Sequence, residues 1–239
     1  NGNFIEFYET GIVSKSYYYK NNLLDSSYYE FLPNGSISVE GYFDNGLKNG
    51  EWATFTEEGK LFSIGFYLND YKDGVWKYFY KSGYLKSEGI YFTGFKNGQW
   101  IFFYENKNID EIGSYYNDLK DGLWGRFYSN GQLKQEELYN KGKLISISEY
   151  YLENGKIADK GNFKNGKGDV FDYYENGKIF SIKNYNNGFL NGKSVFYHLN
   201  GKIAEVGNYE NNIRVGIWKK YNKRGLEISN SIDEKVNEK

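Results

Sequence analysis

Gly74-Val75-Trp76-Lys77-Tyr78-Phe79-Tyr80-Lys81-Ser82-Gly83-Tyr84-Leu85-Lys86-Ser87-Glu88-Gly89-Ile90-Tyr91-Phe92-Thr93-Gly94 is the stretch from which the fold can be read. Two runs rich in Tyr, Phe, Trp and Ile flank a glycine-containing turn, and a second turn, Thr93-Gly94, closes the unit. Aromatic and β-branched residues favour strands. Gly, Asn and Asp supply the positive φ that a tight reversal needs. The stretch reads as one β-hairpin and the turn into the next.

The pattern recurs every 24 residues in both directions. Tryptophans fall at Trp52, Trp76, Trp100 and Trp124, with a fifth at Trp218. An aromatic column runs unbroken through Phe7, Phe31, Phe55, Phe79, Phe103, Phe127, Tyr151, Tyr173, Tyr197 and Tyr221. Four residues after each stands a glycine, with Lys107 the exception. A second turn column includes Asn21-Asn22, Asn45-Gly46, Asn69-Asp70, Asn117-Asp118 and Asn211-Asn212. The prediction is an all-β fold: an elongated, twisted antiparallel sheet of about ten tandem 24-residue β-hairpin repeats over residues 1–228. At about 4.8 Å per strand it would extend roughly 95 Å.

Two places depart from the period. Gly166-Lys167-Gly168 is two residues shorter than Gly46-Leu47-Lys48-Asn49-Gly50, and nearby Ser146 and Ser148 replace the usual Gly and Trp. An even-numbered loss preserves the inside–outside alternation of the next strand, so the sequence predicts a bend or soft joint near 144–170. Residues 229–239 form a polar tail, expected to be disordered or a short helix capping the last sheet edge.

Composition narrows the function. The 239 residues include no Cys, which excludes disulfides, thiolate metal sites and a thiol nucleophile. With 30 Lys and Arg against 31 Asp and Glu, the chain lacks the basic excess of a nucleic-acid binder. No apolar run approaches the length of a transmembrane helix, so a soluble chain is expected. With no Met, a processed or trimmed N-terminus is expected, and cytoplasmic and exported or cell-envelope locations both stay open.

The combined pattern, G-x-W-x-x-[FY]-Y-x-x-G-x-L followed by G-x-Y-x-N-[GD], resembles the variant form of the MORN repeat, most clearly in Gly50–Lys72, Gly74–Lys96 and Gly122–Leu144. The resemblance implies a hairpin array serving as a scaffold or recognition surface. Family members are linked to membrane attachment and protein binding, and bacterial relatives are described as antitoxin-like.

Two columns are candidate contact sites. Trp52, Trp76, Trp100 and Trp124 form a ladder that either fronts a partner, as Trp does at interface hot spots, or stabilises the sheet by cross-strand stacking. Trp52 and Phe55, three apart, face opposite sides, so one aromatic column can pack while the other faces a groove. Lys48, Lys72, Lys96 and Lys120 form a basic column suited to an anionic surface. Against that, Asp73 and Asp121 sit beside two of them, and a pitch of about 10 Å exceeds the Debye length of about 8 Å. The plain alternative for the lysines is a solvated face. No catalytic residue, metal site or cofactor is expected. His198 occupies a slot held by Tyr80 and Tyr128 elsewhere, and reads as a stand-in for a stacking residue. Gly188–Ser194 is one residue short of a phosphate-binding loop, and the carboxylates look scattered over exposed turns with no sequestered pair. The expectation is a non-enzymatic scaffold that binds another protein through an aromatic-lined surface. An antitoxin-like protein occluding one partner and an envelope protein adhering to membrane lipid or glycan are the alternatives.

Overall fold

The computed structural model describes residues 1–233. The chain divides into two units, Asn1–Leu119 and one beginning at Lys120. Every regular element among the described residues is a β-strand.

The first unit contains β1 (Gly2–Phe7), β2 (Val13–Lys20), β3 (Leu23–Phe31), β4 (Ile37–Asp44), the two-residue β5 (Leu47–Lys48), β6 (Gly50–Phe55), β7 (Leu61–Leu68), β8 (Tyr71–Phe79), β9 (Leu85–Phe92), β10 (Phe95–Phe103) and β11 (Ile109–Tyr116). Neighbours in the chain pair antiparallel, with β5 a spur on β4 so that β4 continues to β6. Two kinds of turn alternate, as the two turn columns require. In the first kind, Gly83 N–H donates to Tyr80 O at 2.8 Å with Gly83 at φ 91°. Lys107 holds the same place at φ 74°, a left-handed conformation that costs a side-chain-bearing residue about 1–2 kcal/mol.

The second kind is a two-residue reversal with positive φ at both positions, such as Asn69 (50°) and Asp70 (69°). That geometry matches the right-handed twist of the flanking strands. These turns stack on one another: Asp70 N–H donates to Lys48 O at 3.0 Å, Gly94 N–H to Lys72 O at 2.9 Å, and Asp118 N–H to Lys96 O at 3.0 Å. The row of turns thereby fixes the backbone of three lysines of the basic column.

The second unit contains β12 (Leu119–Phe127), which starts on the boundary, β13 (Leu133–Asn140), β14 (Lys143–Ile147), β15 (Tyr150–Tyr151), β16 (Ile157–Ala158), β17 (Gly168–Tyr173), β18 (Ile179–Asn186), β19 (Phe189–Tyr197), β20 (Ile203–Glu210), β21 (Ile213–Tyr221) and β22 (Glu227–Asp233). β12 to β14 form one ladder, β15 and β16 a separate pair, and β17 to β22 another ladder in chain order. The interruption falls where the period breaks. There Gly161 adopts φ 87°, and an added Cβ would lie 2.2 Å from Asp169 O, so strand geometry cannot continue through it. Leu144, Phe163 and Val170 form a buried apolar cluster beside this interruption, flanked by Tyr139, Ile147 and Tyr185.

The expected tail is corrected in part. From Glu227 to Asp233 the chain is a strand, with Ser231 opposite Trp218, because β21 would otherwise present unpaired backbone groups. The rest of that segment, 234–239, lies outside the described residues.

Candidate functional site

The tryptophans of the first unit make a single row. Strand register sets Trp52 opposite Gly65, Trp76 opposite Gly89, and Trp100 opposite Gly89 on its other side. Each indole lies flat on the glycine eleven residues earlier: a Cβ at Gly41, Gly65 or Gly89 would fall 2.2 Å from the ring of Trp52, Trp76 or Trp100. The indole N–H groups donate to Tyr42 O at 3.1 Å, Phe66 O at 2.9 Å and Ile90 O at 3.0 Å, which satisfies the one polar atom each ring carries inward. Phe43, Tyr67 and Tyr91 meet the rings edge-on at 5.1–5.2 Å. Packed in this way, Trp52, Trp76 and Trp100 are 4, 3 and 0 % exposed.

A lysine covers each ring from the solvent side. Lys48, Lys72 and Lys96 place Nζ at 4.2, 4.2 and 4.4 Å from the centroids of Trp52, Trp76 and Trp100. Tyr67, Tyr91 and Tyr115 complete the cradles at 5.0–5.2 Å. Such cation–π contacts contribute about 0.5–2 kcal/mol each. Burial pushes the Lys72 ammonium below the usual lysine value, and the charges of Lys96 and Lys48 push it further the same way. Burial also lowers Lys96, against the pull of Asp118. Tyr115 is pushed up to about 12 by burial and by Glu111 and Asp118. Over Trp52 and Trp76 the surface sinks into a groove of 440 Å³, bordered by Tyr28, Lys48, Tyr67, Lys72 and Tyr78.

In the second unit the device appears at Trp124 under Lys120 (4.1 Å) and at Trp218, which lies on Gly207 under Arg214 (3.5 Å). Between them it is dismantled. Ser148 and Ser194 hold the tryptophan slots, and the glycine slots eleven residues before them hold Glu137 and Lys183. The freed space admits a charged cluster. Arg126 Nη1 donates to Glu137 Oε1 at 3.0 Å and Nη2 to Asp172 Oδ1 at 2.9 Å, and Lys183 Nζ donates to Asp172 Oδ2 at 3.2 Å. Tyr139 OH donates to Glu137 Oε2 at 2.8 Å. Burial alone would raise the Asp172 carboxyl, but Arg126 and Lys183 together hold it below the usual aspartate value. Burial likewise opposes the Arg126 charge, and Asp172 and Glu137 outweigh it. An open cavity of 690 Å³ adjoins the cluster, lined by Arg126, Lys134, Asp172, Phe180, Lys183 and Leu199.

Seven consecutive segments, 48–69, 72–92, 96–118, 120–141, 142–165, 167–187 and 190–211, match the family described as MORN repeat variant. The chain belongs to that family. No curated protein sequence matches it. Among solved structures, the chain is similar at 12% identity and a TM-score of 0.24 to a crystal structure of TcdB2-TccC3 without its hypervariable C-terminal region. That alignment covers 95% of this chain and 15% of the other. The Photorhabdus luminescens Tc holotoxin pore aligns at 11% identity and a TM-score of 0.20, covering 98% of this chain and 13% of that one. The chain thus spans about one seventh of the length of the structures it is aligned with.

The MORN variant columns settle where the anticipated residues lie. Trp52, Trp76, Trp100 and Trp124 are buried, each with a lysine ammonium above its ring. The side facing the groove is the tryptophan side itself. Lys48, Lys72, Lys96 and Lys120 are half-buried over aromatic rings, so a freely solvated face does not describe them. The expectation of no sequestered carboxylates is also corrected: Glu137 and Asp172 are both buried on Arg126. His198 substitutes for tyrosine in hydrogen bonding, not stacking. Its Nε2 lies 2.8 Å from Tyr221 O, as Tyr174 OH lies 2.6 Å from Tyr197 O. Since a carbonyl only accepts, Nε2 carries the proton.

The other face of the first unit carries what sequence reading did not single out. Strand alternation sends Phe66, Leu68, Tyr71, Val75, Ile90, Phe92 and Phe95 of β7 to β10 away from the tryptophans. Leu68 pairs with Tyr71, Val75 with Ile90, and Phe92 with Phe95 across neighbouring strands. All seven are 45–63 % exposed. The signal was present as hydrophobic residues flanking each two-residue turn, at 68 and 71 and again at 92 and 95.

Proposed function

We propose that this MORN variant array is a non-enzymatic scaffold that binds another protein through the outer face of β7 to β10. The observation that carries this reading is the exposed apolar set Phe66, Leu68, Tyr71, Val75, Ile90, Phe92 and Phe95. Apolar side chains gathered on one exposed face mark interaction sites. Aromatic residues presented on a sheet held rigid from behind suit an interface, because little conformational freedom is lost when a partner covers them. A non-enzymatic role is supported by the charged cluster of the second unit. Its carboxylate Asp172 is held ionised by two cations, which suits an ion pair better than proton transfer.

The test compares affinity capture by the parent chain with capture by a Tyr71→Ser/Phe92→Ser/Phe95→Ser variant whose far-UV circular dichroism matches the parent. The expected result is a stoichiometric protein bound by the parent, identified by mass spectrometry, reproduced with purified components and lost in the variant. Capture unchanged by the substitutions would overturn the assignment of this face, and no protein bound by either would overturn the scaffold reading.

A further inference from the structure

On the opposite side of the same unit, the lysine row has a pitch and a setting that specify a ligand. Lys48, Lys72 and Lys96 occupy equivalent positions in three successive hairpins, and the strand register keeps the tryptophans beneath them in line. Two strand spacings separate neighbours, about 9.6 Å. Each ammonium stands on an indole and beside a tyrosine ring, with its own backbone C=O bonded to the following turn. The row is therefore fixed and not a set of freely moving side chains. No carboxylate forms an ion pair with these three ammoniums among the described residues. The turn carboxylates Asp70 and Asp118 accept at Oδ1 from the backbone N–H of Lys48 and Lys96. Lys72 is destabilised as a cation by burial and by both lysine neighbours, so an anion laid along the row would relieve it. Glu30 lines the groove on the far side of Trp52, and its Oε1 is occupied by Tyr28 OH.

A polyproline-II helix rises about 3.1 Å per residue with three residues per turn, so every third side chain returns to the same side after about 9.3 Å. That repeat matches the lysine pitch. An extended β-strand does not match, since its i and i+3 side chains point to opposite sides. Aromatic-lined grooves are the surfaces polyproline-II segments dock on, because the helix is preformed and loses little entropy. We propose that the Lys48–Lys72–Lys96 row over the tryptophan ladder binds an acidic polyproline-II segment bearing a carboxylate at every third residue. This rests on the reading of the chain as a protein-binding scaffold but uses the face opposite the apolar set.

Fluorescence anisotropy with the full chain and a labelled (Glu-Pro-Pro)4 peptide tests it. Comparison peptides are (Gln-Pro-Pro)4 and one of the same composition as the first with its four Glu contiguous. The expected result is binding of (Glu-Pro-Pro)4, with both comparison peptides weaker by about tenfold or more as in-register ion pairs are lost. Lys72→Gln and Lys96→Gln should each weaken it roughly fivefold, while Lys77→Gln on the outer face leaves it unchanged. Far-UV circular dichroism verifies the fold of each variant. Equal affinity for the contiguous-Glu peptide, or indifference to Lys72→Gln and Lys96→Gln in folded variants, would overturn the proposal. So would no binding of (Glu-Pro-Pro)4, and binding only to phosphatidylserine vesicles would overturn it in favour of a membrane. Because the outer-face test uses Tyr71, Phe92 and Phe95, the two readings fail separately.

Discussion

The hairpins from β6 to β10 and those from β13 to β19 carry the same turn chemistry yet are held together differently. In the first set, an indole lies on a glycine under a lysine, repeat after repeat. In the second, Ser148 and Ser194 stand in tryptophan slots, Val170 sits opposite Lys183 where Trp76 sits opposite Gly89, and Glu137 and Lys183 fill glycine slots. The difference shows that glycine and tryptophan are one device in two columns. The glycine is kept for the ring that covers it, since a Cβ there would lie 2.2 Å from ring carbon. Once the ring is gone, the slot accepts a long charged side chain, and the released volume holds ion pairs instead of aromatic stacking.

Several substitutions would break or sharpen this contrast. The largest effect is expected at Asp172→Asn, which leaves Arg126 and Lys183 half-buried with reduced compensation. A loss of about 4 kcal/mol is expected in urea unfolding. The same pair sets a pH dependence. Asp172 has a depressed native pKa, so its stabilisation is complete above the unfolded value of about 3.9 and is lost as the pH falls from there through the native value. Acid unfolding of the parent should show this loss below about pH 4, and Asp172→Asn should lack it.

Next in size is a comparison of two alanines. Gly89→Ala adds one methyl group and is expected to cost about 3 kcal/mol, because the Trp100 ring must move. Lys183→Ala removes far more atoms yet should cost only about 1 kcal/mol, since Arg126 still pairs with Asp172. Chemical denaturation of both variants gives the ranking, and the reverse order would contradict the steric account of the glycine slot. Smallest is Lys107→Gly, expected to stabilise by about 1 kcal/mol by removing a side chain from φ 74°. A rise in the thermal midpoint would register it.

Much of the fold was legible because turns and aromatic columns repeat with one period, and Gly83 or Asn69-Asp70 announces its backbone geometry in its residue type. The strand at Glu227–Asp233 was not legible, since its polar composition, Glu227-Ile228-Ser229-Asn230-Ser231, gives no strand signal apart from the edge it pairs with. The candidate site was legible in position but not in orientation. The period placed Trp76 and Lys72 in columns, but nothing in the spacing says that Nζ stands over the ring and closes it from solvent. The charged cluster was missed because Arg126 and Asp172 are 46 residues apart and lie in separate ladders, β12 to β14 and β17 to β22, which no repeat spacing relates. A signal existed: Glu137 and Lys183 enter the glycine column at the same repeats in which Ser148 and Ser194 enter the tryptophan column.

That coincidence gives the most direct test of whether glycine and tryptophan act as one device. In a double-mutant cycle at the repeat that lacks both, Ser194→Trp alone should be strongly destabilising, because the ring would strike the Lys183 side chain. Adding Lys183→Gly should recover stability beyond additivity, with a favourable coupling of about 1 kcal/mol or more in urea unfolding. Additive effects, with the tryptophan no better tolerated over glycine than over lysine, would contradict it.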